Sequence, residues 1–160
     1  MNQKAFQDYY PSDFSHCYGC GRLNEHGLQI KSYWDGDESV CRFLPTPHQI
    51  ALPGFVYGGL IASLVDCHCV GTAAAASYRN DGREMGSEPA LRFVTASLKV
   101  DFLAPTPMGV ELEIRGEVVE VKPKKVVVDA KVIAGDTVCA KGHVVAVRMP
   151  DTMKAGHGST

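Results

Sequence analysis

The stretch PGFVYGGLIASLVDCHCVGTAAAASYR, residues 53–79, constrains this chain more than any other feature. From Gly58 to about Ala76, Leu, Ile, Val, Ala and Cys continue too long for a strand and without proline, which predicts a helix. That helix is apolar nearly all round, so most of its faces need cover. A membrane is not the expected cover, because Pro53, the glycines before residue 60 and Asp66 interrupt the run.

The rest of the chain offers a sheet for that purpose. LQIKSYW and SVCRFLP, separated by the turn-rich DGDE, read as a first hairpin. After the helix, the polar SYRNDGREMGSEP reads as a connecting loop over residues 77–89. LRFVTASLKVDFLAP, VELEIRGEVVEV, KKVVVDAKVIA and TVCAKGHVVAVRM then read as four long strands joined by short turns, an antiparallel meander. The order is β-β-α-β-β-β-β. One long helix wrapped by a curved antiparallel sheet of about six strands is an α+β plan known as the hotdog fold. The 160 residues suit one domain, with a core that needs neither disulfide nor metal. We expect the domain to cover residues 1–149, opening with an arm or short helix over 1–16, and residues 150–160 to be a disordered tail.

Sixteen basic against 18 acidic residues leave a net charge of −2 and no basic block, so nucleic acid is not an expected partner. MNQKAFQDYYPSDF lacks the pattern of a secretory signal, and a cytoplasmic location without membrane attachment is expected. The cysteines at 17, 20, 41, 67, 69 and 139 are then expected to stay reduced.

Asp66 is the single formal charge between Arg42 and Arg79, histidines apart. An ionised carboxylate removed from water is costly unless paired, and burial in general makes a carboxylate more basic. On a helix, Gly59, Ala62, Ser63, Asp66, Val70 and Ala73 share one stripe of mostly small residues. Such a stripe admits a ligand or a second helix, and Asp66 is then either a reactive acid or a satisfied core group bonded to Ser63 or a partner chain. Gly58 and Gly59 open the helix, where unpaired amides and the positive dipole end suit a carbonyl oxygen or oxyanion; simple turn geometry is the competing reading. Seven residues at about 1.5 Å each put Gly59 and Asp66 roughly 10 Å apart along the axis, whereas reacting atoms must come within about 3.5 Å. Two antiparallel copies of the helix across a two-fold axis would bring one chain's Asp66 to the other's Gly59.

HQIALPGFVYGGLIASLVD is similar to the pattern Q-G-x-P-G-x-V-H-G-G-x-x-A-x-x-x-D, and TASLKVDFLAPTPMG to T-A-x-L-x-V-x-Y-x-x-P-x-P-x-G. On these two segments, and on the opening CYGCGRLNEHGL, the chain resembles the hotdog-fold acyl-CoA thioesterases of the phenylacetate-degradation (PaaI-like) type, a group that includes thioesterase superfamily members four and five. The likeness runs from about Cys17 to Arg148. It implies hydrolysis of a small or medium acyl- or aryl-CoA thioester, with Asp66 as general base or nucleophile and Gly59, beside Gly58, polarising the carbonyl. It further implies Gln49 as a carboxamide orienting substrate or water, and Thr95 as a hydroxyl beside the acid. A homodimer, or a dimer of dimers, is implied too. No cofactor is expected beyond the coenzyme A of the substrate.

Tyr57 stands where the resembled pattern has histidine, and tyrosine cannot take up a proton near neutral pH. That departure keeps open a non-hydrolytic protein that binds acyl-CoA or another apolar ligand. A hydratase reading lacks the His and acid pairing it would need. His68 is expected to be a core or interface residue. Arg79 and Arg83 in the loop after the helix, and Lys124 in the KPKK turn, are candidates to meet the phosphates of coenzyme A. His16, Cys17 and Cys20 have the spacing of half a zinc site, but a second pair is missing and Cys67 and Cys69 diverge on a helix, so no metal is expected.

Overall fold

β1 (Ser32–Asp35) and β2 (Glu38–Phe43) form the first hairpin, and α1 (Gly58–Asn80) follows. β3 (Phe93–Phe102), β4 (Leu112–Lys122), β5 (Lys125–Ala134) and β6 (Thr137–Arg148) complete one antiparallel sheet, with a helical turn, α2 (Asp151–Lys154), after it. The computed structural model describes residues 3–154. The sheet order is β1-β2-β4-β5-β6-β3. Only β4, β5 and β6 form a meander; β3 leaves its expected neighbour and pairs with β6, while β4 crosses back to β2. This crossover moves β3 to the far edge of the sheet.

The expected α+β plan stands: one long helix lies against a six-stranded antiparallel sheet. β5 shows why. Val126, Val128, Ala130, Val132 and Ala134 alternate inward and are buried, while Asp129 and Lys131 face out. Each fully buried Val or Leu in such a layer contributes roughly 1.5–3 kcal/mol over an exposed one. The helix sits close on the sheet because two facing positions carry no side chain. A Cβ on Gly142 would lie 2.3 Å from Val65 Cγ1, and one on Gly116 would lie 3.3 Å from His68 Nε2. Any larger residue at 142 drives α1 away from the sheet.

α1 is four residues longer than the sequence suggested. Ser77–Asn80 complete it, because Gly82 adopts a left-handed φ of 64° and supplies the stop. The Gly82 amide donates to Arg79 O and the Arg83 amide to Tyr78 O, the paired bonds of a Schellman ending. By length and composition α1 could cross a membrane, yet 72% of its apolar window is buried inside the domain. The N-terminal residues do not extend as an arm. They form two 3₁₀ turns, Phe6–Tyr9 and Ser12–Phe14, of which the first lies against α1, with Ala5, Phe6 and Gln7 buried. They pack close at Gly71, where a Cβ would stand 3.0 Å from Gln7 Nε2. The expected tail opens with the turn of α2; residues 155–160 of it lie outside the described residues.

Candidate active site

Along α1, apart from its exposed last residues Arg79 and Asn80, one stripe escapes full burial: Gly58, Gly59, Ala62, Ser63, Asp66, Cys67 and Val70. The expected member Ala73 is fully buried, beyond the point where Phe6, Gln7 and Tyr10 close on the helix at Gly71, and Cys67 takes its place on the open side. Where that stripe meets the N-terminal loop and the start of β3 there is a cleft of about 310 Å³. Asp66, Cys67 and Val70 form its helical wall, Cys17 and Cys20 the loop wall, and Phe93 and Thr95 the strand wall.

Asp66 and Thr95 meet in this cleft. Thr95 Oγ1 donates to Asp66 Oδ1 at 2.5 Å. The reach from strand to helix depends on a bulge: Thr95 pairs with Ala146 but Ser97 with Val145, so one extra residue re-aims the strand just after Thr95. An ionised carboxylate has two acceptor oxygens, and Thr95 engages one of them. Asp66 is therefore partnered but not sealed.

The helix tip lies elsewhere. The amides of Leu60 and Ile61 both donate to Tyr57 O, which leaves Gly58 and Gly59 ahead of the first intrahelical bonds. The Tyr57 ring lies over Gly59, so that a Cβ there would fall 2.5 Å from its Cζ, yet Tyr57 is 58% exposed. Gln49 approaches the same tip, since its carbonyl accepts the Tyr57 amide at 3.1 Å. Its side-chain oxygen accepts the Thr46 amide at 2.8 Å and so braces its own loop. Ser63 donates to Gly59 O at 2.8 Å, a bond within the helix rather than to Asp66. Within one chain, then, Asp66 and Thr95 come together, whereas Gly59, Gly58, Tyr57 and Gln49 gather about two turns of helix away.

Neither arginine reaches the cleft. Arg79 lies 3.8 Å from the centroid of the Trp34 ring and donates to Gly36 O on the first hairpin. Arg83 donates to Ser87 and Pro89 and tightens the loop that follows α1. Lys124 lines a separate groove with Arg92 and Arg148, and Asp13 and Phe14 are shared between that groove and the cleft.

Two features escaped sequence reasoning. Cys67 projects from α1 to meet Cys17 and Cys20, and the three sulfurs lie within 4.8 Å of one another. Gly19 permits this, since a Cβ there would lie 2.3 Å from Cys67 Sγ. Hydrogen bonds from the Cys20 and Cys67 thiols draw Cys17 toward thiolate, and the same bonds hold Cys20 and Cys67 protonated. The second feature surrounds His68, fully buried on the opposite side of α1. Ser32 Oγ lies 2.9 Å from Nδ1 and Ser39 Oγ 3.0 Å from Nε2. Thr72 Oγ1 lies 2.6 Å from Ser39 Oγ and donates to His68 O at 2.7 Å. Gln7 Nε2 donates to Ser32 at 3.1 Å. With one proton on Nε2, each link of this chain has one donor and one acceptor, so the neutral ring is fully satisfied. Burial lowers its pKa to about 4.

Residues 53–141 match the thioesterase superfamily. The chain is similar to the acyl-coenzyme A thioesterase THEM4 of Xenopus laevis, at 32% identity over 97 residues. That match covers 61% of the chain but only 38% of the relative, so the chain spans well under half of that protein. Among solved structures it is similar to a thioesterase superfamily protein of Shewanella loihica, at 49% identity and a TM-score of 0.67, covering 88% of this chain and all of that one. The PaaI protein of the Escherichia coli phenylacetic acid degradation operon shares the fold, with a TM-score of 0.62 at 18% identity over 77% of this chain and 81% of that one. With the two motifs on the expected helix and strand and the family match across 53–141, the chain belongs to the thioesterase superfamily.

Proposed function

We propose that the protein hydrolyses small or medium acyl- or aryl-CoA thioesters to the free acid and coenzyme A. The observation that carries this reading is the Thr95–Asp66 pair, an oriented carboxylate at the wall of a mostly apolar cleft. Asp66 takes a proton from water as that water attacks the thioester carbon; the carbonyl electrons move to oxygen, then return as the C–S bond breaks. The departing thiolate recovers the proton. In the alternative course Asp66 itself attacks the thioester carbon, the C–S bond breaks to release the coenzyme A thiolate, and water opens the resulting anhydride to give the free acid, the Asp66 carboxylate and a proton for the thiolate. Thr95 fixes the carboxylate's direction in either course.

The negative oxygen needs donors that the Asp66 end of α1 does not offer. The Gly58–Gly59 tip has them, and a second copy of the chain would supply that tip. Two features support a homodimer. β3 has a single partner strand and its residues 95–99 are exposed. Leu98, Phe102, Leu103, Phe55, Tyr57 and Leu52 leave large apolar surface around this edge and the helix tip, Leu52 being 72% exposed. Gln49 and Tyr57 would then border the acyl group of the neighbouring site. Lys124 sits where the groove adjoining the cleft could receive coenzyme A phosphates; Arg79 and Arg83, committed to Trp34 and to their own loop, have no such place. The named activity of the curated relative points to the same substrate class. A cytosolic setting suits the six free thiols.

A second reading rests on the Tyr57 ring above Gly59: a tip covered in this way would bind acyl-CoA without turnover. Thiol release over a panel of acyl-CoAs separates the two readings. Hydrolysis by the wild type, lost in Asp66→Asn, supports the enzyme. Equilibrium binding without thiol release, with hydrolysis appearing only in Tyr57→His, supports the binder.

A further inference from the structure

We propose that Cys17, Cys20 and Cys67 together form a binding site for a thiophilic divalent cation, Zn²⁺ foremost, with its remaining coordination position facing the cleft. This stands apart from the hydrolytic reading and holds whether or not the protein cleaves thioesters. They are the one group of three such ligand side chains among the described residues whose donor atoms converge.

Tetrahedral Zn²⁺ with sulfur ligands at about 2.3 Å places its sulfurs roughly 3.8 Å apart. Cys17 and Cys67 are already 3.7 Å apart, and the set lies within 4.8 Å, so closure needs shifts of side chains alone. The loop folds tightly around Cys17, the Gly21 amide closing the turn on Cys17 O at 2.7 Å. Gly21 itself has no room for a side chain, since a Cβ would lie 2.5 Å from the Cys17 amide nitrogen. Gly19 in turn lets the loop descend onto Cys67. Three thiolates leave one position of a tetrahedron, and all three cysteines line the cleft that also holds Asp66. Binding displaces the thiol protons still present to solvent as the metal–sulfur bonds form. It ties the loop wall of the cleft to α1 one residue from Asp66.

The test uses the full chain, kept reduced with a phosphine and titrated with Co²⁺ and then Zn²⁺. We expect about one Co²⁺ per chain, with sulfur-to-metal charge-transfer absorption and the intense visible bands of a tetrahedral ion, displaced by Zn²⁺. Zn²⁺ should raise the wild-type melting temperature and leave that of Cys17→Ser unchanged. Cys17→Ser alters an exposed residue and is expected to fold, and both it and Cys67→Ser should weaken binding by about tenfold or more. Absence of the charge-transfer band at saturating Co²⁺ would overturn the proposal. So would a band that survives in both variants, or thiols that react equally fast with and without Zn²⁺.

Discussion

Cys67 and His68 are consecutive on α1, yet they face opposite fates. His68 turns toward the hairpin and the sheet, where Gln7, Ser32, Ser39 and Thr72 satisfy both ring nitrogens and no solvent enters. Asp66 and Cys67 turn the other way, into a cleft where Thr95 engages one carboxylate oxygen and thiols meet thiols. Both groups are polar clusters on one apolar helix. The difference lies in saturation: a closed chain of donors and acceptors specifies packing, whereas an open set keeps capacity for a ligand or a proton.

If that contrast is right, the two sides must respond differently to substitution. The largest effect is expected for Asp66→Asn, which should lower the rate of thioester hydrolysis by about 10²–10⁴-fold with little change in melting temperature. An unfolded variant would mean that the open side is structural after all. His68→Leu should do the reverse. It strands the hydroxyls of Ser32 and Ser39 and should cost about 2–4 kcal/mol in denaturant unfolding, with activity kept by the folded fraction.

Acid probes the same side without mutation. The folded pKa of His68 is lowered from 6.5 to about 4, so the neutral ring's contribution is complete above pH 6.5 and is lost as pH falls through 4. The loss is on the order of 3 kcal/mol. Unfolding curves between pH 7 and 4 should show it, and His68→Leu should flatten this part of the profile. The smallest effect is expected for Thr95→Val, which removes one hydrogen bond to Asp66 and should lower kcat about tenfold with KM nearly constant. A rise in KM instead would make Thr95 a substrate contact.

The sequence carried α1 plainly, because a mostly apolar run of 19 residues without proline is too long for a strand, and it carried the strands through their alternation. It did not carry the place of β3, since a crossover is decided by which edge the chain reaches after Leu103 and leaves no local pattern. Asp66 was legible as a lone charge, and Thr95 through the resembled motif. The cysteine triad was not, because Cys67 lies fifty residues from Cys17 and joins it only through the fold. A signal was present all the same: Cys67 sits beside Asp66 on the small-residue side of the helix, and the Cys-x-x-Cys loop holds Gly19. Ser32 and Ser39 likewise marked the His68 pocket, as polar residues at inward positions of a hairpin.

The central claim is that one chain's Asp66 works with another chain's helix tip, and mixed protomers test it most directly. Asp66→Asn lacks the acid, and Gly59→Pro lacks the amide hydrogen at the tip. Each should be inactive alone. Unfolded together and refolded, they should recover up to about a quarter of wild-type hydrolysis, since half the dimers are mixed and each mixed dimer holds one intact site. Mixed dimers that form but hydrolyse nothing would contradict the shared site.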